Sequence, residues 1–359
     1  MPHCRAFAQV ESALGVGYTR EVRPTTGPEI SILLPAFDAG RTLPAALASV
    51  RRQSEPNWEC IVVDDGSRDD TAVLARAVAN SDPRVRVLSV AHGGIVSALR
   101  AGLAECRAPL VARMDADDLM SKQRLALQRR ALARAPELAA VGCHVRLFPR
   151  RTLRNGLIQY ERWLASIRTP DDVEREAFVE CPVAHPTLMI RRAVLAALDY
   201  RDQGWPEDYD LLLRLLATGQ RVGMVPRRLL HWRDGASRLS RTSAMYRISA
   251  FVECKAEHLA LGFLAGSERY LLWGFGDTGK ALCRALAQRG KQPAAIIELH
   301  PGRIGQLIRG VRVVAPEALP QLPRLPLVVS VAGLTARTEI RQGLSRMGFV
   351  ELTDYVCAA

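Results

Sequence analysis

The sequence predicts an α/β protein: a doubly wound, mostly parallel sheet followed by a second, smaller α/β unit. Three observations carry this. Short β-branched runs alternate with helix-periodic stretches from Ile30 onward, the pattern of repeated βαβ units. Acidic residues gather just after the apolar runs, where open α/β sheets bind ligands. A fresh strand, glycine-loop and helix pattern then begins at Tyr270.

Residues 1–28 hold no sustained period and no signal-peptide pattern, so they read as an irregular tail. Ile30-Ser31-Ile32-Leu33-Leu34-Pro35 is the first strand. Leu43, Leu47 and Val50 share one face of a helix over 42–52. A second strand covers 59–63, and Ala72, Leu74 and Val78 recur in the helix that Asp69 and Asp70 open. A third strand covers 84–88, and His92-Gly93-Gly94 leads into a helix over 95–106. The run 109–112 is a buried strand. A helix over 122–135 stops at Pro136, and 139–145 returns to strand. The stretch 150–169 has no clear period. Further on, 183–190 reads as a strand, 192–198 as a short helix, 207–217 as a helix and 220–230 as a strand. A helical linker is expected over 239–266, between units at 29–238 and 267–359. The second unit offers strands at 270–273, 294–298, 311–314 and 327–331, with a helix over 280–289.

The length of 359 residues suits about two domains. Hydrophobic residues make up 48% and charged residues 24%, and no apolar run is long enough to span a bilayer. The net charge of +12 admits three readings: a solvated Arg-rich surface, attraction to anionic headgroups or diphosphates, or nucleic-acid binding. No zinc-finger, RRM or KH signature supports the last, so no nucleic-acid partner is expected. The eight Cys are scattered without a CxxC pair and read as reduced residues of a cytoplasmic protein.

The acidic clusters carry the chemistry. Asp115-Ala116-Asp117-Asp118 packs three carboxylates after an apolar strand. Ionised carboxylates so close repel unless a cation sits among them, and a divalent ion there would neutralise a diphosphate leaving group. The competing reading is a surface turn with capping Asp residues. Asp64-Asp65-Gly66-Ser67 can accept hydrogen bonds from a nucleobase or cap a helix. Glu207-Asp208-Tyr209-Asp210 suits a helix N-terminus, and one of its acids could instead deprotonate an acceptor hydroxyl. His185 reads as a structural hydrogen-bonder. Arg233, Arg238 and Arg241 form a basic loop that could clamp a diphosphate or lie solvated. Gly274-x-Gly276-x-x-Gly279 lets a backbone approach a pyrophosphate, with Glu298 placed to hold a ribose diol. A scaffold without cofactor is the alternative, so NAD or another nucleotide is not the main expectation there.

Together these residues resemble family 2 glycosyltransferases, the inverting, nucleotide-sugar-dependent enzymes of the GT-A fold. The resemblance covers roughly 30–241 with its motifs in order. Ile32-Leu33-Leu34-Pro35-Ala36-Phe37-Asp38 is similar to the opening strand, which implies that Pro35, Phe37 and Asp38 line the base. Val62-Val63-Asp64-Asp65-Gly66-Ser67 resembles the base-binding motif, with Asp65 as the uracil contact. His92-Gly93-Gly94 resembles the glycine segment beside the nucleotide. Arg113-Met114-Asp115-Ala116-Asp117-Asp118 is similar to the metal motif. It implies Asp117, with Asp115, as ligands of Mn or Mg, Asp115 also facing the ribose and sugar, and Asp118 as a cap of the next helix. Glu207-Asp208 occupies the place of the acidic base, with Asp208 the favoured member. Trp232-Arg233 resembles the late basic loop near the diphosphate. The C-terminal unit resembles small Rossmann-like domains fused to bacterial glycosyltransferases.

The resemblance implies transfer from a nucleotide-diphosphate sugar to a glycan or lipid-linked acceptor, in polysaccharide or glycolipid synthesis. Peripheral association with an anionic membrane face is the matching expectation for the charge. Two other classes remain open: a metal-dependent sugar-phosphate nucleotidyltransferase and a non-catalytic nucleotide-sugar-binding scaffold.

Overall fold

The structure is a computed structural model that describes residues 27–235 and 238–359. The irregular tail expected over 1–28 therefore falls almost wholly outside the described residues. Strands β1 (Ile30–Ala36), β2 (Trp58–Asp64), β3 (Val85–Ser89) and β4 (Leu110–Arg113) pair in parallel, in the order β3-β2-β1-β4. Helices α1 (Leu43–Arg51), α2 (Thr71–Ser81) and α3 (Gly94–Glu105) make the crossovers. Every residue of β1 and β2 is buried, because helices cover both faces of the sheet. Successive side chains serve opposite cores: Leu34 and Val62 pack with Leu47 of α1, and Leu33 and Val63 with Leu99 of α3.

Beyond β4 the sheet turns mixed. It continues through β5 (Leu119–Met120), helix α4 (Arg124–Arg134), β6 (Leu138–Phe148), α5 (Asn155–Ser166), α6 (Pro170–Glu176), β7 (Met189–Arg191), α7 (Arg192–Leu198), α8 (Glu207–Ala217) and β8 (Arg221–Arg233). β7 lies antiparallel between β4 and β6, β8 runs parallel to β6, and β5 closes the edge antiparallel to β8. The α/β class and the parallel-dominated sheet agree with the sequence reading.

Two local readings are corrected. The strand expected over 183–190 survives only as β7. Thr187 Oγ1 donates to the Ala184 carbonyl at 2.6 Å, and His185–Thr187 forms a 3-10 turn around Pro186. The unplaced stretch 150–169 holds α5, and a capping box between Thr169 and Asp172 starts α6 immediately after it.

Short helix α9 (Leu239–Thr242) and α10 (Ile248–Leu261) follow β8. α10 is built into two cores: Cys254 packs against the first sheet, and Val252, Ala256 and Leu259 against the second. The second sheet comprises β9 (Arg269–Trp273), β10 (Gln292–Ile297), β11 (Leu307–Ile308), β12 (Val311–Val314), β13 (Leu327–Val329) and β14 (Tyr355–Cys357), in the order β11-β12-β10-β9-β13-β14. It is parallel except for β11. Helices α11 (Asp277–Ala287) and α12 (Leu334–Arg346) cover opposite faces. Among the described residues, no helix is long and apolar enough to cross a membrane.

Candidate active site

The first cavity opens at the carboxyl ends of β1, β2 and β4. It encloses about 590 Å³, and Pro35, Phe37, Asp38, Asp65, Gly94 and Arg233 are among its lining. Phe37 is 41% exposed and stacks on His92 with ring centroids 4.1 Å apart, giving the cavity an aromatic edge. Asp38 takes a left-handed backbone conformation. Its amide donates to Ser67 Oγ at 3.0 Å and its carboxylate accepts from the Arg68 amide at 2.8 Å. Asp65 is buried, and its two oxygens accept the amides of Gly93 and Gly94 at 2.9 and 3.0 Å. The glycine segment is thus held by Asp65 rather than left free for a ligand. Gly66 is required here: its φ is +68° and a Cβ would lie 2.8 Å from the His92 nitrogen. Asp64 is buried and accepts from the Ser67 amide at 3.2 Å, a turn role.

The acid cluster forms the cavity floor. Carboxylate oxygens of Asp115, Asp117 and Asp118 lie within 4.8 Å of one another. Arg113 is buried beneath them and donates to Asp115 Oδ1 at 2.6 Å and to the Met114 carbonyl. Asp118 does not cap the following helix, as the sequence suggests. It is wholly buried and accepts the Arg233 amide at 2.7 Å, tying β8 to the cluster, while its Oδ2 has no partner. Arg233 Nε donates to the Asp117 carbonyl at 2.7 Å, and its guanidinium covers Phe148 at 4.5 Å. Burial and then the neighbouring Asp115 push the Asp117 carboxyl up to about 6, against the pull of Arg238 and Arg233. An orphaned buried oxygen and three converging carboxylates are a donor set that fits a hard divalent cation.

A second cavity, of about 550 Å³, lies on the other side of the cluster. Its lining includes Tyr160, Glu180, His185, Glu207, Asp208 and Tyr246. The first turn of α8 gives its first two acids different surroundings. Glu207 is 2% exposed, accepts from the Tyr246 hydroxyl at 2.5 Å, and is pushed upward in pKa by burial and by Asp208. Asp208 is half-buried and accepts the Tyr209 amide at 2.8 Å. Burial raises its carboxyl to about 6. His185 bonds the Tyr200 hydroxyl at 3.1 Å, and burial followed by Arg113 holds it neutral. Asp115, Asp117 and Arg238 line both cavities, so the acid cluster is their shared wall. Sequence reasoning finds neither Tyr160, which sits in the stretch with no clear period, nor Tyr246, which sits in the stretch read only as a helical linker.

The glycines of the C-terminal unit lie elsewhere. Gly274 ends β9 at φ +93°, and a Cβ on Gly279 would lie 2.3 Å from the Gly274 carbonyl oxygen. Glu298 accepts from the Leu299 amide at 2.9 Å and from Arg303 at 3.1 Å.

Comparison with known proteins follows this geometry. The description "Glycosyl transferase family 2" matches residues 31–198, which hold β1 to α7. The amylovoran biosynthesis glycosyltransferase AmsE of Erwinia amylovora is 28% identical over 249 residues, 67% of this chain and 91% of that protein. The O-antigen biosynthesis protein RfbC of Myxococcus xanthus is 32% identical over 243 residues, 65% of this chain and 18% of that much longer protein. The crystal structure of S. aureus TarS 1–349 in complex with UDP superposes with a TM-score of 0.50 at 16% identity, covering 72% of this chain and 70% of that one. The domain match, the relatives and the shared fold agree, and residues 31–198 of the chain form a family 2 glycosyltransferase domain.

Proposed function

We propose that the chain is an inverting, divalent-metal-dependent glycosyltransferase that moves a sugar from a nucleotide-diphosphate sugar to an acceptor hydroxyl. The observation that carries this is the shared wall. Asp115 and Asp117 face a cavity with an aromatic, base-sized edge on one side, and a cavity containing Asp208 on the other. A donor in the first cavity would present its anomeric carbon at that wall, opposite an acceptor in the second. Phe37 and His92 offer the base a stacking surface, while Arg233 and Arg238 offset the charge of the diphosphate. Asp117 and Asp115 would hold the divalent ion, which supplies charge neutralisation to the leaving nucleoside diphosphate.

Asp208 accepts the proton of the acceptor hydroxyl as that oxygen bonds to the anomeric carbon and the bond to the diphosphate oxygen breaks. One displacement inverts the centre, and no covalent sugar–enzyme species forms. The names of AmsE and RfbC speak of amylovoran and O-antigen biosynthesis, which supports a cell-surface polysaccharide or glycolipid product. The charge of +12 supports work beside an anionic membrane face on a lipid-linked acceptor. The domain plan we propose is a catalytic unit at 29–238, a helical connection at 239–266 and a Rossmann-like unit at 267–359.

A panel of UDP-, GDP- and dTDP-sugars with Mn, read by donor hydrolysis and transfer, tests this. One donor should be consumed, and Asp208→Asn should cut transfer by about 10²–10⁴ while nucleotide binding stays. Unchanged transfer in that variant defeats the assignment.

A further inference from the structure

The second sheet has a switch point of its own. Chain order in that sheet reverses between β9 and β13, and the carboxyl ends of two such strands bound the place where open α/β sheets take ligands. The loops leaving these strands are joined: the Ser330 amide donates to the Trp273 carbonyl at 2.7 Å. Each loop runs directly into a long helix capped by glycine, Gly276 before α11 and Gly333, at φ +100°, before α12. The two helix N-termini therefore flank one crevice, and their free amides favour an anion there.

Three further observations point to what enters. Ser330 is 4% exposed, and its Oγ has no hydrogen-bond partner. That Oγ faces the first turn of α11, since a Cβ on Gly279 would lie 3.6 Å from it. Arg303, 42% exposed, reaches across the mouth to the Glu298 carboxylate at 3.1 Å and the Phe275 carbonyl at 3.5 Å. Both oxygens of Glu298 are thereby engaged, one by Arg303 and one by the Leu299 amide. Asp277, the one acid on the first turn of α11, points fully into solvent beside Lys280.

We propose that this crevice is a second nucleotide site, which holds a nucleoside diphosphate by its phosphates between the two helix ends, with Arg303 as their cation. The site is independent of the one floored by Asp117.

Hydrogen–deuterium exchange on the full chain tests it, because peptides resolve the two sites. The probes are ADP and inorganic pyrophosphate, each in the absence of divalent ions. At about ten times Kd, amides of 274–281 and 330–336 should exchange about tenfold more slowly. Arg303→Ala should weaken that protection by about tenfold or more, the loss of one charge-assisted contact. Protection by both probes, or by ADP alone, supports the site; the second result adds a contribution from the nucleoside. No protection of these peptides at millimolar ADP overturns it, as does protection that Arg303→Ala leaves unchanged. Failure of the glycosyltransferase reading would appear separately, as absent protection of 35–38 and 92–95 with nucleotide and Mn.

Discussion

The duties we propose for Asp208 and Asp117 differ, although the same force, burial beside Asp115, lifts both. For Asp208 the lift sets a pH dependence. The base we propose works only when ionised, and burial places its carboxyl at about 6. Acceptor-dependent kcat/KM should therefore fall about tenfold per pH unit below about 6 and level off above it. A profile that stays flat down to pH 5 would remove Asp208 from the proton transfer. For Asp117, the metal ligand we propose, the same crowding would be relieved by a cation rather than by a proton. Asp117→Ala should abolish the Mn-induced rise in thermal stability and reduce transfer to the level seen with EDTA. Transfer that persists in that variant with EDTA present would show that no metal is needed. Arg113, buried under the cluster, explains why three acids fold there at all: it holds Asp115, and Arg233 of β8 supplies the amide that holds Asp118.

At the scale of elements, β1, β2 and β4 are legible because both faces of their sheet are buried there, so they read as mostly apolar runs. The acids at their ends are legible because no core needs them. What stays hidden is whatever depends on partners distant in sequence. Gly93 and Gly94 look like a ligand cradle, and only the tertiary structure hands their amides to Asp65. The physical difference between Glu207 and Asp208 comes from Tyr246, 39 positions on, which takes Glu207. The helix α5 escapes notice because one of the residues it buries is Glu161, a carboxylate that accepts the Leu147 amide at 2.9 Å and interrupts the apolar pattern. The start of α6 is different, since its signal is local. Thr169 Oγ1 accepts the Asp172 amide at 3.2 Å, and Asp172 accepts the Thr169 amide at 3.0 Å. Thr169→Ala should cost about 1 kcal/mol, read as a lower urea midpoint with an unchanged slope. A midpoint equal to that of the parent would mean the box contributes nothing.

At the scale of the whole molecule, α6 matters because it ends in a joint between the two sheets. Glu176, its last residue, accepts from Trp163 Nε1 at 3.0 Å on one side and from Arg341 of α12 at 2.7 Å on the other. Three residues on, the Val179 carbonyl accepts from Lys255 Nζ at 3.1 Å, and the same ammonium donates to the Ala358 carbonyl at 2.6 Å. The next two residues, Glu180 and Cys181, line the second cavity. One short segment is thus both the outer wall of the cavity that holds Asp208 and the seat of the C-terminal unit. With α10 packed into cores on both sides, neither sheet can lose its order without exposing apolar surface of the other. A single cooperative transition follows, with calorimetric and van't Hoff enthalpies equal. Arg341→Ala leaves Glu176, 12% exposed, short of its closest cation, which should lower that transition by about 1–3 kcal/mol without splitting it. Two resolved transitions in the parent chain would mean that the units are energetically separate, and the wall of the second cavity would then need no support from the C-terminal sheet.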